Sequence, residues 1–229
     1  IKSNSMKEFF RPVWTSGRYD KKSHSAIVYN LATGKAYFFE DMAADVVSYI
    51  LIAGRNDRID ICKIIDELAI DEDSICDFFY RIEKDGLVSF SKNLGELLVK
   101  AQRRNGNVQT DFSENTSKIA EDAECDYLKR SKSKVFSVLM ELTYKCSEKC
   151  IHCYNPGASR NDHELGMRDI KKELTLDEYK NVIDQLYEEG LVRVTLSGGD
   201  PFSKGFIWEL IEYLFSKNIV FDIYTNGQG

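Results

Sequence analysis

Apolar positions along this chain change their period more than once. Residues 26–30 (AIVYN) and 35–40 (KAYFFE) are short runs rich in β-branched and aromatic side chains, with Gly34 between them. That pattern predicts a β-hairpin with a glycine in its loop. From residue 42 the spacing turns helical. Ala43, Val46, Val47, Ile50 and Leu51 share one face over 42–53, and Gly54 stops the helix. Ile61, Ile64, Ile65 and Leu68 repeat the pattern over 59–68. Acids at Asp71, Glu72 and Asp73 open a third helix, where they suit its dipole. It carries Ile75, Phe78, Phe79 and Ile82 and ends at Asp85-Gly86, and residues 87–90 (LVSF) read as a short strand. Hairpin, three helices and strand are the layout of a small α+β winged helix-turn-helix domain over residues 1–95. The polar residues 96–133 read as a linker with room for a short helix near 97–104.

Beyond residue 133 strands and helices alternate. Residues 135–142 are mainly apolar, as in a buried strand. Thr175-Leu176-Asp177-Glu178 has the capping-box pattern of a helix start. Leu176, Tyr179, Val182, Ile183, Leu186 and Tyr187 then line one face up to Gly190. Strands over 192–196 and 220–224 flank a second helix over 206–217. Such alternation predicts a parallel sheet with right-handed crossovers over residues 134–229. The unusual residues all follow strands. A cysteine loop follows the first, Ser197-Gly198-Gly199-Asp200-Pro201 the second, and Thr225-Asn226-Gly227 the third. Ligands bind at that edge of parallel α/β sheets.

Charge narrows the partners. The formal net charge is −6 and no long basic stretch occurs, so nucleic-acid binding gains little support. Asp71, Glu72, Asp73, Asp77 and Glu83 make the third helix acidic, unlike a DNA-reading helix. The short basic group Lys129, Arg130, Lys132 and Lys134 reads as a solvated linker. No apolar run approaches the length of a membrane span, and the first residues lack the apolar core of a signal peptide. The expected location is the cytoplasm, with no membrane partner. In a reducing cytosol, clustered thiols point to metal or catalysis more often than to disulfides. Cys62 and Cys76 sit among apolar residues and read as small hydrophobes.

Cys146, Cys150 and Cys153 are spaced C-x3-C-x2-C. Soft thiolates that close suit zinc or iron–sulfur chemistry. A structural zinc site needs a fourth protein ligand, which His152, His163 or Cys125 would have to supply. The other solution is a [4Fe–4S] cluster held by three cysteines, with one iron left open to a substrate or cofactor.

The three cysteines, with Tyr154 after them and the Gly198-Gly199-Asp200 segment one helix and one strand later, resemble the signature of the radical S-adenosylmethionine superfamily. The resemblance covers residues 134–229 and implies a partial (βα) barrel. It implies that Cys146, Cys150 and Cys153 hold a [4Fe–4S] cluster whose open iron binds S-adenosylmethionine. Cleavage of that cofactor gives a 5′-deoxyadenosyl radical, which abstracts hydrogen from a substrate. The resemblance places Tyr154 by the adenine and the two glycines where the backbone approaches the cofactor. Asp200, usually glutamate in the family, accepts from the methionine ammonium, and Thr225 and Asn226 reach in from the third strand. It also implies an electron donor such as flavodoxin or ferredoxin. The family's barrel continues beyond a third strand, so the expectation is a chain truncated within its core and inactive alone.

The first block resembles the RiPP recognition element, a small winged-helix domain similar to the peptide chaperone of pyrroloquinoline quinone biosynthesis. That resemblance rests on element order and apolar pattern over residues 14–90. It implies binding of the leader segment of a ribosomally made precursor peptide, added as a strand beside residues 35–40 and packed on the third helix. The candidate contacts are Tyr37, Phe39, Phe78, Arg81 and Ile82, and Phe78 and Ile82 also suit plain core burial. Together the blocks suggest a radical S-adenosylmethionine enzyme that modifies a precursor peptide. The alternative is a non-catalytic leader-binding protein or fragment.

Overall fold

The computed structural model describes residues 8–90, 114–148, 150–154 and 173–228, with side chains of the helix at 114–131 described from residue 122. The chain divides into two units, Ile1–Lys132 and Ser133–Gly229.

In the first unit, β1 (Thr15–Asp20), β2 (Ser25–Asn30) and β3 (Lys35–Glu40) form an antiparallel sheet in the order β1-β2-β3. The expected hairpin is β2–β3, with Tyr29 opposite Ala36 and Ile27 opposite Phe38. The strand β1 was not expected. Its sequence TSGRYD lacks an apolar alternation, and it pairs with β2 along its whole length. Helices α1 (Asp41–Ile52), α2 (Ile61–Leu68) and α3 (Glu72–Lys84) follow. The carboxylates of Asp60 and Asp71 cap α2 and α3 by accepting from the N–H groups of Lys63 and Ser74. Residues 87–90 do not form the expected strand. Ser89 makes a lone bridge, exchanging two backbone hydrogen bonds with Phe10, while Leu87 and Val88 fill the core.

β2 is buried on both faces, and side chains alternate across a strand. Ala26 and Val28 point into the α1–α3 core, with Val47, Ile50, Ile64, Ile75 and Phe79. Ile27 and Tyr29 point the other way and are equally buried. A fourth helix, α4 (Glu114–Ser131), packs on β2 and β3. Ala123 and Tyr127 of α4 are buried, and the Tyr29 hydroxyl donates to Glu124 at 2.7 Å. The stretch expected as linker 96–133 therefore contains a structural helix of the first unit. Its basic end is not simply solvated: Arg130 bonds the Asp41 carboxylate and the Ser23 carbonyl. The short helix expected near 97–104 lies outside the described residues.

Arg11 closes this unit from within. It is 2% exposed, and its guanidinium donates to the carbonyls of Leu51, Ala53 and Thr15 at 2.7–2.9 Å. Burial, with the nearby Arg55 charge, brings its pKa down to about 10. Cys76 packs against the core as expected, but Cys62 is exposed on α2.

In the second unit, β4 (Ser137–Thr143), β5 (Arg193–Gly198) and β6 (Val220–Ile223) form a parallel sheet in the order β4-β5-β6. Helices α5 (Leu176–Glu188) and α6 (Ile207–Ser216) are the crossovers. Thr175 and Glu178 form the expected capping box at the start of α5. Ile183, Val194, Leu196, Leu210 and Leu214 make the core. β4 is not the buried strand its apolar run suggested. Among the described residues it pairs with β5 alone, and Leu139 stays 55% exposed. Because all three strands run the same way, their C-terminal ends share one edge. Among the described residues, no helix is long and apolar enough to cross a membrane.

Candidate functional site

The site is built on the ends of β4, β5 and β6. The register of β4 against β5 slips between Glu141 and Thr143. The carbonyl of Leu142, between them, accepts the Tyr179 hydroxyl of α5 at 3.1 Å. Burial, with the charges of Glu173 and Glu178, pushes that hydroxyl's pKa up to about 12. A groove of about 650 Å³ runs along β4 and ends at Thr143, Tyr144 and Glu173.

The chain leaving β4 is stapled to the turn after β5. The Gly199 N–H donates to the Thr143 carbonyl at 2.6 Å, and the Asp200 N–H to the Lys145 carbonyl at 2.9 Å. The Ser203 hydroxyl also reaches the Lys145 carbonyl, at 3.3 Å. The two glycines permit this approach. Gly198 has φ +123°, and a Cβ there would lie 2.3 Å from the Thr143 oxygen. A Cβ at Gly199 would lie 2.4 Å from the Lys145 oxygen. The space the glycines leave is thus taken by the backbone at 143–145, a role the sequence did not suggest.

Asp200 is 5% exposed. Its Oδ1 accepts both the Phe202 N–H at 3.2 Å and the Thr225 hydroxyl at 2.9 Å. Among the described residues its Oδ2 has no protein partner. The Asn226 amide donates to the Cys146 sulfur at 3.6 Å and to the Ser147 hydroxyl at 3.2 Å. Tyr154 is 65% exposed, and its hydroxyl bonds that of Ser197 at 2.9 Å. Five of the residues read from sequence, Cys146, Tyr154, Asp200, Thr225 and Asn226, are therefore linked across the three strand ends. Ser197, at the end of β5, and Ser147, in the cysteine loop, join them as hydrogen-bond partners, roles the sequence did not suggest.

The thiols themselves are unpaired, with Cys146 and Cys153 half-buried and Cys150 exposed. A backbone bond from the Cys153 N–H to the Cys150 carbonyl closes a turn between the last two. Among the described residues, no three His, Cys, Asp or Glu side chains stand together as a metal-holding group. The donor set suits an iron–sulfur cluster in kind: three free thiols on one short loop. Of the alternative fourth ligands, His152 is exposed, Cys125 belongs to the first unit, and His163 lies outside the described residues.

In the first unit, Phe39 of β3 and Phe78 of α3 meet, and Tyr37 packs against the same core. The Phe39 and Phe78 rings lie edge to face, 6.0 Å apart. Burial, then the Asp85 carboxylate that the hydroxyl bonds, brings the Tyr37 pKa up to about 12. Arg81 is exposed, whereas Ile82 is 4% exposed and belongs to the core, with no surface to offer a peptide.

Residues 140–229 match the family model described as the Radical SAM superfamily. The chain is 31% identical over 91 residues to PqqA peptide cyclase of Bradyrhizobium diazoefficiens, covering 40% of this chain and 22% of that protein. It is 31% identical over 87 residues to mycofactocin maturase MftC of Mycobacterium tuberculosis, covering 38% of this chain and 20% of that one. The chain thus spans about a fifth of the length of these relatives. Among solved structures, Streptococcus suis SuiB bound to S-adenosylmethionine aligns over 96% of this chain and 43% of that one, at 14% identity and a TM-score of 0.46. The cysteine loop and the three strand ends therefore lie in the segment that matches the radical SAM model.

Proposed function

We propose that this chain is part of a radical S-adenosylmethionine enzyme that modifies a ribosomally made precursor peptide. What supports the reading most is a pair of hydrogen bonds at one sheet edge, Thr225 to Asp200 and the neighbouring Asn226 to Cys146, inside the segment that matches the radical SAM model. Cys146, Cys150 and Cys153 would hold a [4Fe–4S] cluster. When bound, such a cluster supplies the electron that cleaves S-adenosylmethionine to a hydrogen-abstracting radical. The chain's own residues then bind and orient the cofactor. Asp200 offers Oδ2 to an ammonium, while Thr225 and the Phe202 N–H hold its other oxygen in place. Tyr154 presents an exposed ring, steadied through its hydroxyl by Ser197. The electron would come from a small donor such as flavodoxin or ferredoxin.

The first unit would grip the leader segment. β3 pairs with β2 alone among the described residues, and Tyr37, Phe39 and Phe78 offer half-buried aromatic surface beside it. An extended peptide adding to β3 would gain backbone bonds from the strand and side-chain contacts from these rings.

Anaerobic reconstitution with iron and sulfide tests the first claim. The expected product is a brown protein with a [4Fe–4S] electron-paramagnetic signal that shifts when S-adenosylmethionine is added, and Cys146→Ala, Cys150→Ala and Cys153→Ala each abolish it. A colourless protein that holds zinc instead overturns the reading. For the leader, titration with a peptide encoded beside this chain should show binding that Phe39→Ala weakens. Failure to bind it, together with tight binding of duplex DNA, overturns the peptide role.

A further inference from the structure

An ion pair crosses the base of the cysteine loop. Glu173 precedes α5, and Lys204 follows the short turn Pro201–Ser203. Their side chains meet at 2.8 Å, and each is 13% exposed. Every other ion pair among the described residues has at least one partner 48% exposed or more. Withdrawing two charges from water costs more than a surface pair does, so such a pair is weak as a source of stability and strong as a fixed geometry.

The geometry here points at the cysteine loop. Glu173 divides its carboxylate, with Oε2 on the Lys204 ammonium and Oε1 on the Tyr144 N–H at 2.9 Å. Lys204 also lies over the Phe206 ring, 5.3 Å from its centroid. Burial raises the Glu173 pKa, but bonds from Lys204, the Thr143 hydroxyl and the Tyr144 N–H outweigh it and leave the carboxyl below its ordinary value. Farther along the loop, Ile151 is 94% exposed and Cys150 is exposed.

We infer that Glu173 and Lys204 are positioning residues for the cysteine loop. The pair fixes the chain at Tyr144 and so sets where the Cys146 thiol stands relative to Asp200 and Asn226. The inference rests on the reading of this edge as the cluster and cofactor site. Among the described residues, neither has a hydrogen bond to the thiols; both act through the backbone at Tyr144.

The test uses the whole chain with the variants Glu173→Gln, Lys204→Met and Lys204→Arg, and with Lys217→Met as a control that breaks the Asp184 pair between α5 and α6. Hydrogen exchange is read first, without any cluster. Glu173→Gln and Lys204→Met should speed exchange at residues 144–146 roughly ten-fold, the scale of one charge-assisted hydrogen bond, while α5 and α6 stay protected. After reconstitution, both variants should show an altered electron-paramagnetic signal and a weaker shift with S-adenosylmethionine. Lys204→Arg, which keeps the charge, should restore both, and Lys217→Met should change neither. Wild-type exchange and spectra in Glu173→Gln and Lys204→Met overturn the inference, as does a loss of protection spread over the whole second unit. If wild type and Cys146→Ala alike take up no cluster, the functional reading itself falls, and the inference with it. Exchange before reconstitution tells the two failures apart.

Discussion

Polar groups serve different ends in the two units. In the first, Arg11 spends its guanidinium on three carbonyls of its own unit, and Arg130 ties α4 to the start of α1. These groups close the structure on itself. In the second, Asp200, Thr225, Asn226 and Ser197 gather at one sheet edge, and Asp200 keeps an oxygen without a protein partner among the described residues. An antiparallel meander brings strand ends out at both sides of its sheet, whereas parallel strands joined by crossovers deliver every C-terminal end to one edge. The topology of the second unit thus concentrates loops, and with them the residues free to meet a ligand.

This contrast can be broken by experiment. Arg11→Met should cost the first unit about 4 kcal/mol, because three buried carbonyls lose a charged donor at once. Urea unfolding followed by hydrogen exchange should show the loss in residues 8–90 and leave the second unit unchanged. Tyr127→Ala should cost about 3 kcal/mol through the cavity left over the sheet, with exchange rising in β2 and β3. Gly199→Ala should cost about 2 kcal/mol, since the new methyl meets the Lys145 carbonyl and the backbone must shift. It should also change the rate at which Cys146 is alkylated. Asp200→Asn should cost less than about 1 kcal/mol, because the amide oxygen still accepts from Phe202 and Thr225. Its effect should fall on S-adenosylmethionine binding instead. A large stability loss for Asp200→Asn, or none for Arg11→Met, would erase the distinction between the two units.

Much of the fold could be read from the chain, and the failures have physical causes. Helical spacing marks α1, α2, α3 and α5, and the capping box at Thr175 is the one its sequence pattern implies, while the caps from Asp60 and Asp71 are seen only in the structure. The strand β1 escaped because Gly17, Arg18 and Asp20 hide any apolar alternation, and its place is fixed by pairing with β2. Helix α4 escaped because its buried positions, Ala123 and Tyr127, form one narrow stripe in a polar sequence. At the site, Cys146, Asp200, Thr225 and Asn226 could be found because each follows a strand. Glu173 and Lys204 could not, since a pair of opposite charges far apart in sequence has no spacing rule to betray it.

The helix on the far side of the first sheet has a practical consequence for anyone who dissects this chain. A cut near residue 95, where composition suggests a boundary, would strip α4 away and present Ile27, Tyr29 and Ala36 to water. Such a bare sheet invites self-association. A cut after Ser131 carries the cover along. The fragment cut after Ser131 is therefore the one expected to stay monomeric when the first unit is expressed alone.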